Sequence, residues 1–177
     1  LCGIRVYGGV FTDIGSVATG NSAAITVDGN TASPRVGIDI QNNTFTDVLA
    51  AIRLDTCDYC IAKNNNIDIS KPLNGSATIK TGIIGSSEGN FVHVINNTIT
   101  NSNAQAGTGL HTDSGLEDSL FEYNQLSNLA VGLFDEARAE RNVWRYNTVN
   151  TVITGFRGPG SSLGANISPQ VYNNTFR

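Results

Sequence analysis

Four acidic side chains recur at one phase of a repeated alternation. Asp28, Asp55, Asp113 and Glu136 each stand three positions after the apolar residue of Ala24-Ile25, Ala51-Ile52, Gly109-Leu110 and Gly132-Leu133. Ser86 and Pro159 hold the same place after Gly82-Ile83 and Gly155-Phe156. Two positions earlier stand Thr26, Arg53, Ile84, His111, Phe134 and Arg157. If each segment is a short strand with alternating faces, both series point away from the core as two outward columns. Strands pair about 4.8 Å apart, so Asp113 and Glu136 become neighbours and Asp55 lies roughly 10 Å from Asp113. Like charges so placed repel, and they persist when one is protonated, when a cation bridges them or when a basic group intervenes. His111, Arg53 and Arg157 supply basic groups in the adjoining column.

Two chemistries fit such a constellation. In the first, one carboxylic acid protonates a leaving oxygen while another activates water, at a separation of roughly 6.5–9.5 Å. Asp113 with Asp55 meets that spacing, and Glu136 would raise the pKa of the acid. In the second, a base removes a proton next to a carboxylate whose charge must be neutralised. His111 or an Arg would then serve as the base, and Arg157 or a cation as the neutraliser. Asp113, Glu136, His111 and Asp55 are therefore the candidate catalytic residues. Arg53, Arg157, Asp28 and the outward Phe134, a stacking surface, are the candidate substrate-binding residues. Asp113, Glu136 and Asp135 offer a calcium site, although Asp135 falls at an inward position, which is odd for a carboxylate. No motif calls for another metal or a cofactor.

Outward charges on a strand are also the ordinary way to solvate a surface. Elsewhere in the chain, Arg5 with Asp39 and Glu122 with Arg145 fall at neighbouring positions of a second outward column and would simply pair. That face cancels its charge, whereas the column of Asp28 to Glu136 stacks acids.

The elements that position these residues form an internal repeat. The segment 2–13, CGIRVYGGVFTD, aligns without gaps on 36–47, VGIDIQNNTFTD, and the same frame returns at 60–69, 92–101, 119–128, 142–151 and 169–176. The closing apolar residues are Phe11, Phe45, Ile67, Ile99, Leu126, Val149 and Phe176, at intervals of 34, 22, 32, 27, 23 and 27 residues. Two positions before them stand Gly9, Asn43, Asn65, Asn97, Asn124, Asn147 and Asn174, and five before stand Val6, Ile40, Ala62, Val94, Phe121, Trp144 and Val171. Units of two or three short strands, stacked so that each pairs with its equivalent in the next unit, would bury one continuous core. The Asn column is expected at a bend in left-handed conformation, each Asn bonding its stacked neighbour, with Gly9 serving where backbone freedom suffices. Insertions at 14–24, 70–82, 102–109, 29–35 and 158–168 fall at both ends of the acidic strand column and would wall a groove over it.

Composition agrees with repeated turning. The 177 residues include 21 Asn and 19 Gly, and 15% are charged. Eleven basic against fifteen acidic residues, a net charge of −4, speak against a nucleic-acid partner. No apolar run approaches the roughly 18 residues of a membrane span, so no membrane partner is expected. Three cysteines cannot build a disulfide scaffold. Cys57-x-x-Cys60 has redox spacing, but Cys60 falls in an inward column, and a buried free thiol is expected. His93 reads as a surface residue and Trp144 as core. Sequons at Asn42, Asn74, Asn96, Asn166 and Asn173 include three that are the repeated NNT turn itself. The absence of Met and of a start residue suggests one domain, 1–177, cut from a longer chain whose caps are missing.

The Gly-Ile/Leu element followed by an NN-T-Ile/Phe turn resembles the right-handed parallel β-helix repeats of the pectate-lyase-like superfamily, over residues 2–176. The resemblance, which spans polysaccharide lyases, glycoside hydrolases and tailspike-like proteins, implies an all-β, right-handed parallel β-helix, a single-stranded solenoid of about seven rungs. It further implies that a polysaccharide lies across the strand column of Asp113 and Glu136 and is cleaved or modified there, outside the cell or on a virion. No catalytic motif of the superfamily is matched residue by residue, so the lyase or epimerase and the inverting hydrolase both stay open. The rival expectation is a non-catalytic rod, a stem, adhesin segment or filament subunit. In either case homo-oligomers or end-to-end stacking could cover the ends of the stack.

Overall fold

The computed structural model describes residues 3–14, 23–72, 80–113, 115–136, 138–158 and 169–177. Among them every regular element is a β-strand, and no helix is long and apolar enough to cross a membrane. Seven three-residue strands form one sheet in chain order: Arg5–Tyr7, Asp39–Gln41, Ile61–Lys63, His93–Ile95, Leu120–Glu122, Val143–Arg145 and Gln170–Tyr172. A larger sheet combines two further series. One contains Val10–Thr12, Thr44–Thr46, Asn66–Asp68, Thr98–Thr100 and Thr175–Phe176. The other contains Ile25–Asp28, Ala50–Asp55, Thr81–Ser86 and Thr108–Thr112. Both series are continued by the long strands Gln125–Asp135 and Thr148–Arg157, so the sheet doubles back on itself.

The strands pair in parallel, each with its equivalent one repeat away. Val6 pairs Ile40, Ile40 pairs Ala62, and the column runs on through Val94, Phe121 and Trp144 to Val171. Phe11, Phe45, Ile67, Ile99, Leu126, Val149 and Phe176 form a second column in the same way. The register offsets equal the intervals of the sequence repeat. The molecule is thus all-β with parallel strands in curled sheets, an arrangement compatible with a parallel β-helix or solenoid.

Alternation places the apolar columns inside. Ile40, Ile52, Leu54, Ile67, Ile99, Leu110, Leu133 and Trp144 are wholly buried. Like residues stack on like: Phe11 lies 4.8 Å from Phe45, and Phe121 lies 4.0 Å from Trp144 with rings nearly parallel. The small residue before each inward Ile or Leu is a steric requirement. A Cβ on Gly132 would come within 2.4 Å of Val149 and 2.9 Å of the Gly155 carbonyl.

A polar ladder runs through the same core. Each Oδ1 accepts two bonds from the preceding member, one from its backbone N–H and one from its side-chain amide. This holds for Asn43 on Asn65, Asn65 on Asn97, Asn97 on Asn124, Asn124 on Asn147 and Asn147 on Asn174, at 2.9–3.0 Å. The Gly9 amide donates to Asn43 Oδ1 at 2.8 Å and begins the ladder. The expected left-handed conformation falls one residue earlier than the sequence suggests: Gly8, Asn42, Asn64, Asn96, Tyr123, Tyr146 and Asn173 have φ of 54–66°. The bend must precede the ladder Asn so that its side chain turns inward to reach the next repeat.

The structure also corrects the reading of the cysteines. Cys57 and Cys60 are joined in a disulfide with Cα atoms 6.0 Å apart, so neither is a free thiol. The inward place of Cys60 is as expected, and Cys57 is wholly buried with it. The intervening Tyr59 is left-handed, which brings the two side chains to the same side of the corner. Closing so short a loop restricts the unfolded chain little, and replacing both residues by Ser is expected to cost about 2 kcal/mol. Chemical denaturation of wild type and variant checks this; an unchanged midpoint would show that the bridge adds nothing.

Candidate functional site

The outward column assembles as the spacing predicts. Thr26 pairs Arg53, and Ile84 lies between Arg53 and His111. His111 pairs Phe134, and Phe134 pairs Arg157, each one strand apart. Asp28 pairs Asp55, and Asp55 pairs Ser86. The amide of Asp113 donates to the Gly85 carbonyl and that of Glu136 to the Thr112 carbonyl, which carries the acidic register across the remaining strands.

Within this column the side chains separate into two groups. In the first, Arg53 forms an ion pair with Asp55, and Ser86 donates its hydroxyl to the other Asp55 oxygen. Asp55 is only 14% exposed, and both of its oxygens are engaged. It is therefore held as a structural anion, and the strand Thr81–Ser86 with its buried Ile84 separates it from Asp113. Asp28 lies beyond it at the edge of the sheet, exposed, its carbonyl accepting from Arg35 Nε at 3.1 Å.

The second group is built on stacking. His111 Nε2 and Glu136 Oε2 are 2.7 Å apart. The His111 ring lies parallel to that of Phe134 at 4.6 Å, and the guanidinium of Arg157 lies 4.7 Å from the same ring. Phe134 is thus flanked by His111 and Arg157, one from each neighbouring strand. It acts as a spacer between a base and a cation, and sugar stacking on its Arg157 side requires that guanidinium to move. His111 is buried to 10% exposure, whereas Glu136 is 41% exposed and is the member of the pair that reaches solvent. A carboxylate only accepts, so an ionised Glu136 places the proton on Nε2 and leaves the lone pair on Nδ1.

The calcium triad of Asp113, Glu136 and Asp135 is not assembled. Asp135 turns into the core with no exposure, while Glu136, the next residue, turns outward, as strand alternation requires. Among the described residues no cluster of three or more His, Cys, Asp or Glu side chains could hold a metal. Asp135 instead accepts from Thr112 Oγ1 at 2.7 Å and Trp144 Nε1 at 3.3 Å. Burial pushes its carboxyl above the ordinary carboxylate range, and bonds from Thr112, Asn142 and Trp144 pull it partly back. The sequence signal for these partners is register: Thr112 pairs Asp135 directly, and Trp144 belongs to the core column.

On the second outward face the expected charge pairs are present. Arg5 reaches Asp39 at 3.1 Å, Arg145 reaches Glu122 at 2.8 Å, and His93 shares Glu122 at 3.1 Å. Of the insertions expected to wall the groove, 15–22, 73–79 and 159–168 lie outside the described residues, Pro159 among them. No protein-family model, curated protein or solved structure matches the chain.

Proposed function

We propose that the chain is a right-handed parallel β-helix of about seven turns, of the pectate-lyase-like kind, and that it binds and cleaves or modifies a polysaccharide along the column from Thr26 to Arg157. The observation that carries this reading is the hydrogen-bonded His111–Glu136 pair set beside Phe134 and Arg157 on consecutive strands. Glu136 faces the polymer and takes up its proton on the carboxylate, and His111 positions that carboxylate by donating its Nε2–H. Arg157, about two strand spacings or ~10 Å from His111, neutralises an acidic sugar. With Asp55 engaged by Arg53 and Ser86, proton abstraction by a lyase or epimerase fits better than two-carboxylate hydrolysis. The Cys57–Cys60 bridge accords with an oxidising, extracellular or virion-surface setting.

The test is an assay of reducing-end release and unsaturated-uronate absorbance on acidic and neutral polysaccharides. Cleavage of an acidic polymer is expected, with turnover cut by roughly tenfold or more in Arg157→Ala, consistent with loss of a charge-assisted contact. If no glycan is bound or cut, the reading fails. The second reading is a non-catalytic rod, and one observation favours it: Ile84, Ser86 and His111 are almost fully buried, so much of the column is closed. Apolar side chains exposed at the two ends, Val10 at 76% and Phe176 at 46%, would then mark end-to-end stacking.

A further inference from the structure

One buried carboxyl takes no part in the outward column. Asp135 ends the strand Gln125–Asp135 with its side chain in the core and no exposure. Its Oδ1 accepts from Thr112 Oγ1 at 2.7 Å, Trp144 Nε1 at 3.3 Å and Asn142 Nδ2 at 3.5 Å. Its Oδ2 is equally buried and has no partner. The donors come from opposite sides of the molecule. Thr112 follows His111 on the neighbouring groove strand, whereas Trp144 belongs to the seven-stranded sheet and Asn142 lies just before that strand. A single carboxyl therefore bridges the two sheets through the core.

A carboxylate buried without a cation is costlier than an unpaired buried hydroxyl, so the closed site favours the neutral form. The three bonded donors are all neutral. Of the titratable groups around the cluster, His111 opposes the upward shift of Asp135; Asp113, Glu136, Arg141 and Arg145, which neighbour the cluster along the chain, are each partly exposed. Burial raises the carboxyl and is the largest influence on it; the bonded donors and His111 oppose it without cancelling it.

We propose that Asp135 is a neutral core clamp: a protonated carboxyl that ties the groove strands to the opposite sheet through Thr112 and Trp144, and whose ionisation inside the closed core destabilises the fold. The sign follows from the raised folded value. The contribution of the clamp is complete below the ordinary carboxylate value of about 4, and it is lost as pH rises through the folded value, because the unfolded chain ionises first. Trp144, the single tryptophan, donates to the clamp and therefore reports on it.

The experiment follows Trp144 emission and the melting temperature from about pH 4 to about pH 9 in wild type, Asp135→Asn and Thr112→Val. Asn keeps the acceptor oxygen and cannot ionise. Wild type is expected to show an emission transition with a parallel fall in melting temperature, and Asp135→Asn to lack both. Thr112→Val removes a bond that favours the ionised form, so its transition moves to higher pH. The proposal is overturned if Asp135→Asn keeps the wild-type transition, if wild type shows none, or if Thr112→Val moves it to lower pH. Should Asp135→Asn fail to fold, the direction of the Thr112→Val shift decides. No glycan enters the measurement, so the result is independent of any reaction at the groove.

Discussion

An Asn124→Ala variant is expected to lose about 3–5 kcal/mol of folding stability, a large share of what a domain of this size holds. Asn124 is wholly buried at the middle of the ladder. Its Oδ1 receives the Asn97 backbone N–H at 2.9 Å and the Asn97 side-chain amide at 3.0 Å. Its own amide donates to the carbonyls of Val94 and Glu122, both at 3.0 Å, and to Asn147 Oδ1 at 2.9 Å. Alanine orphans the Asn97 backbone N–H in a site closed to water, at about 1–3 kcal/mol, while the Asn97 side-chain amide loses one bond and keeps the Ala62 and Ile95 carbonyls. The carbonyls lose a second bond as well. Asn174→Ala makes the comparison, since Asn174 ends the ladder among the described residues and its surroundings are more exposed; about 1 kcal/mol is expected there. Urea unfolding of both variants measures the difference. Equal losses at the two positions would show that the ladder is not a cooperative core element.

On a polymer that the wild type cleaves, Glu136→Gln is expected to lower turnover by about 10²–10⁴, the usual worth of a positioned proton-transfer group. Gln keeps the length and polarity needed to face His111 Nε2, which now lies 2.7 Å from the carboxylate. It cannot take up a proton. Binding should change much less than turnover, because the flanking contacts of Arg53 and Arg157 remain. A His111→Ala variant should show a comparable loss, and the double variant little more, because the two residues act as one unit. Additive losses would separate their roles, and full activity in Glu136→Gln would remove the pair from the reaction.

The core was legible because two periodicities coincide. Period-two alternation says which side chains point inward, and the repeat says which of them are stacked. Ile40 over Ala62 or Leu126 over Val149 could thus be paired without coordinates, and their registers are those observed. The left-handed bend was harder, because Asn42-Asn43, Asn64-Asn65, Asn96-Asn97 and Asn173-Asn174 are doublets in which either residue suits it. Gly8 carries the bend in the first repeat, and Tyr123 and Tyr146 carry it in the remaining two, where propensity points to the Asn that follows. The cysteine pair differs from expectation for a related reason: spacing places Cys60 inward, but it does not show the corner at Tyr59 that lets the two sulfurs meet.

The candidate site divides along the same line. By itself the sequence determined the strand columns, their register and the set of side chains on the outward face, because those depend only on spacing. Tertiary structure decided which neighbour each charge chose. Asp55 turned to Arg53 and Ser86, His111 to Glu136, and Phe134 filled the space between His111 and Arg157. It also decided that Asp135 belongs to the core, where Thr112, Asn142 and Trp144 supply the bonds that water would otherwise provide. Spacing ranks which residues are near, but a side chain with several partners in reach settles by geometry, desolvation and the competing bonds of those partners, and these exist only once the chain has folded.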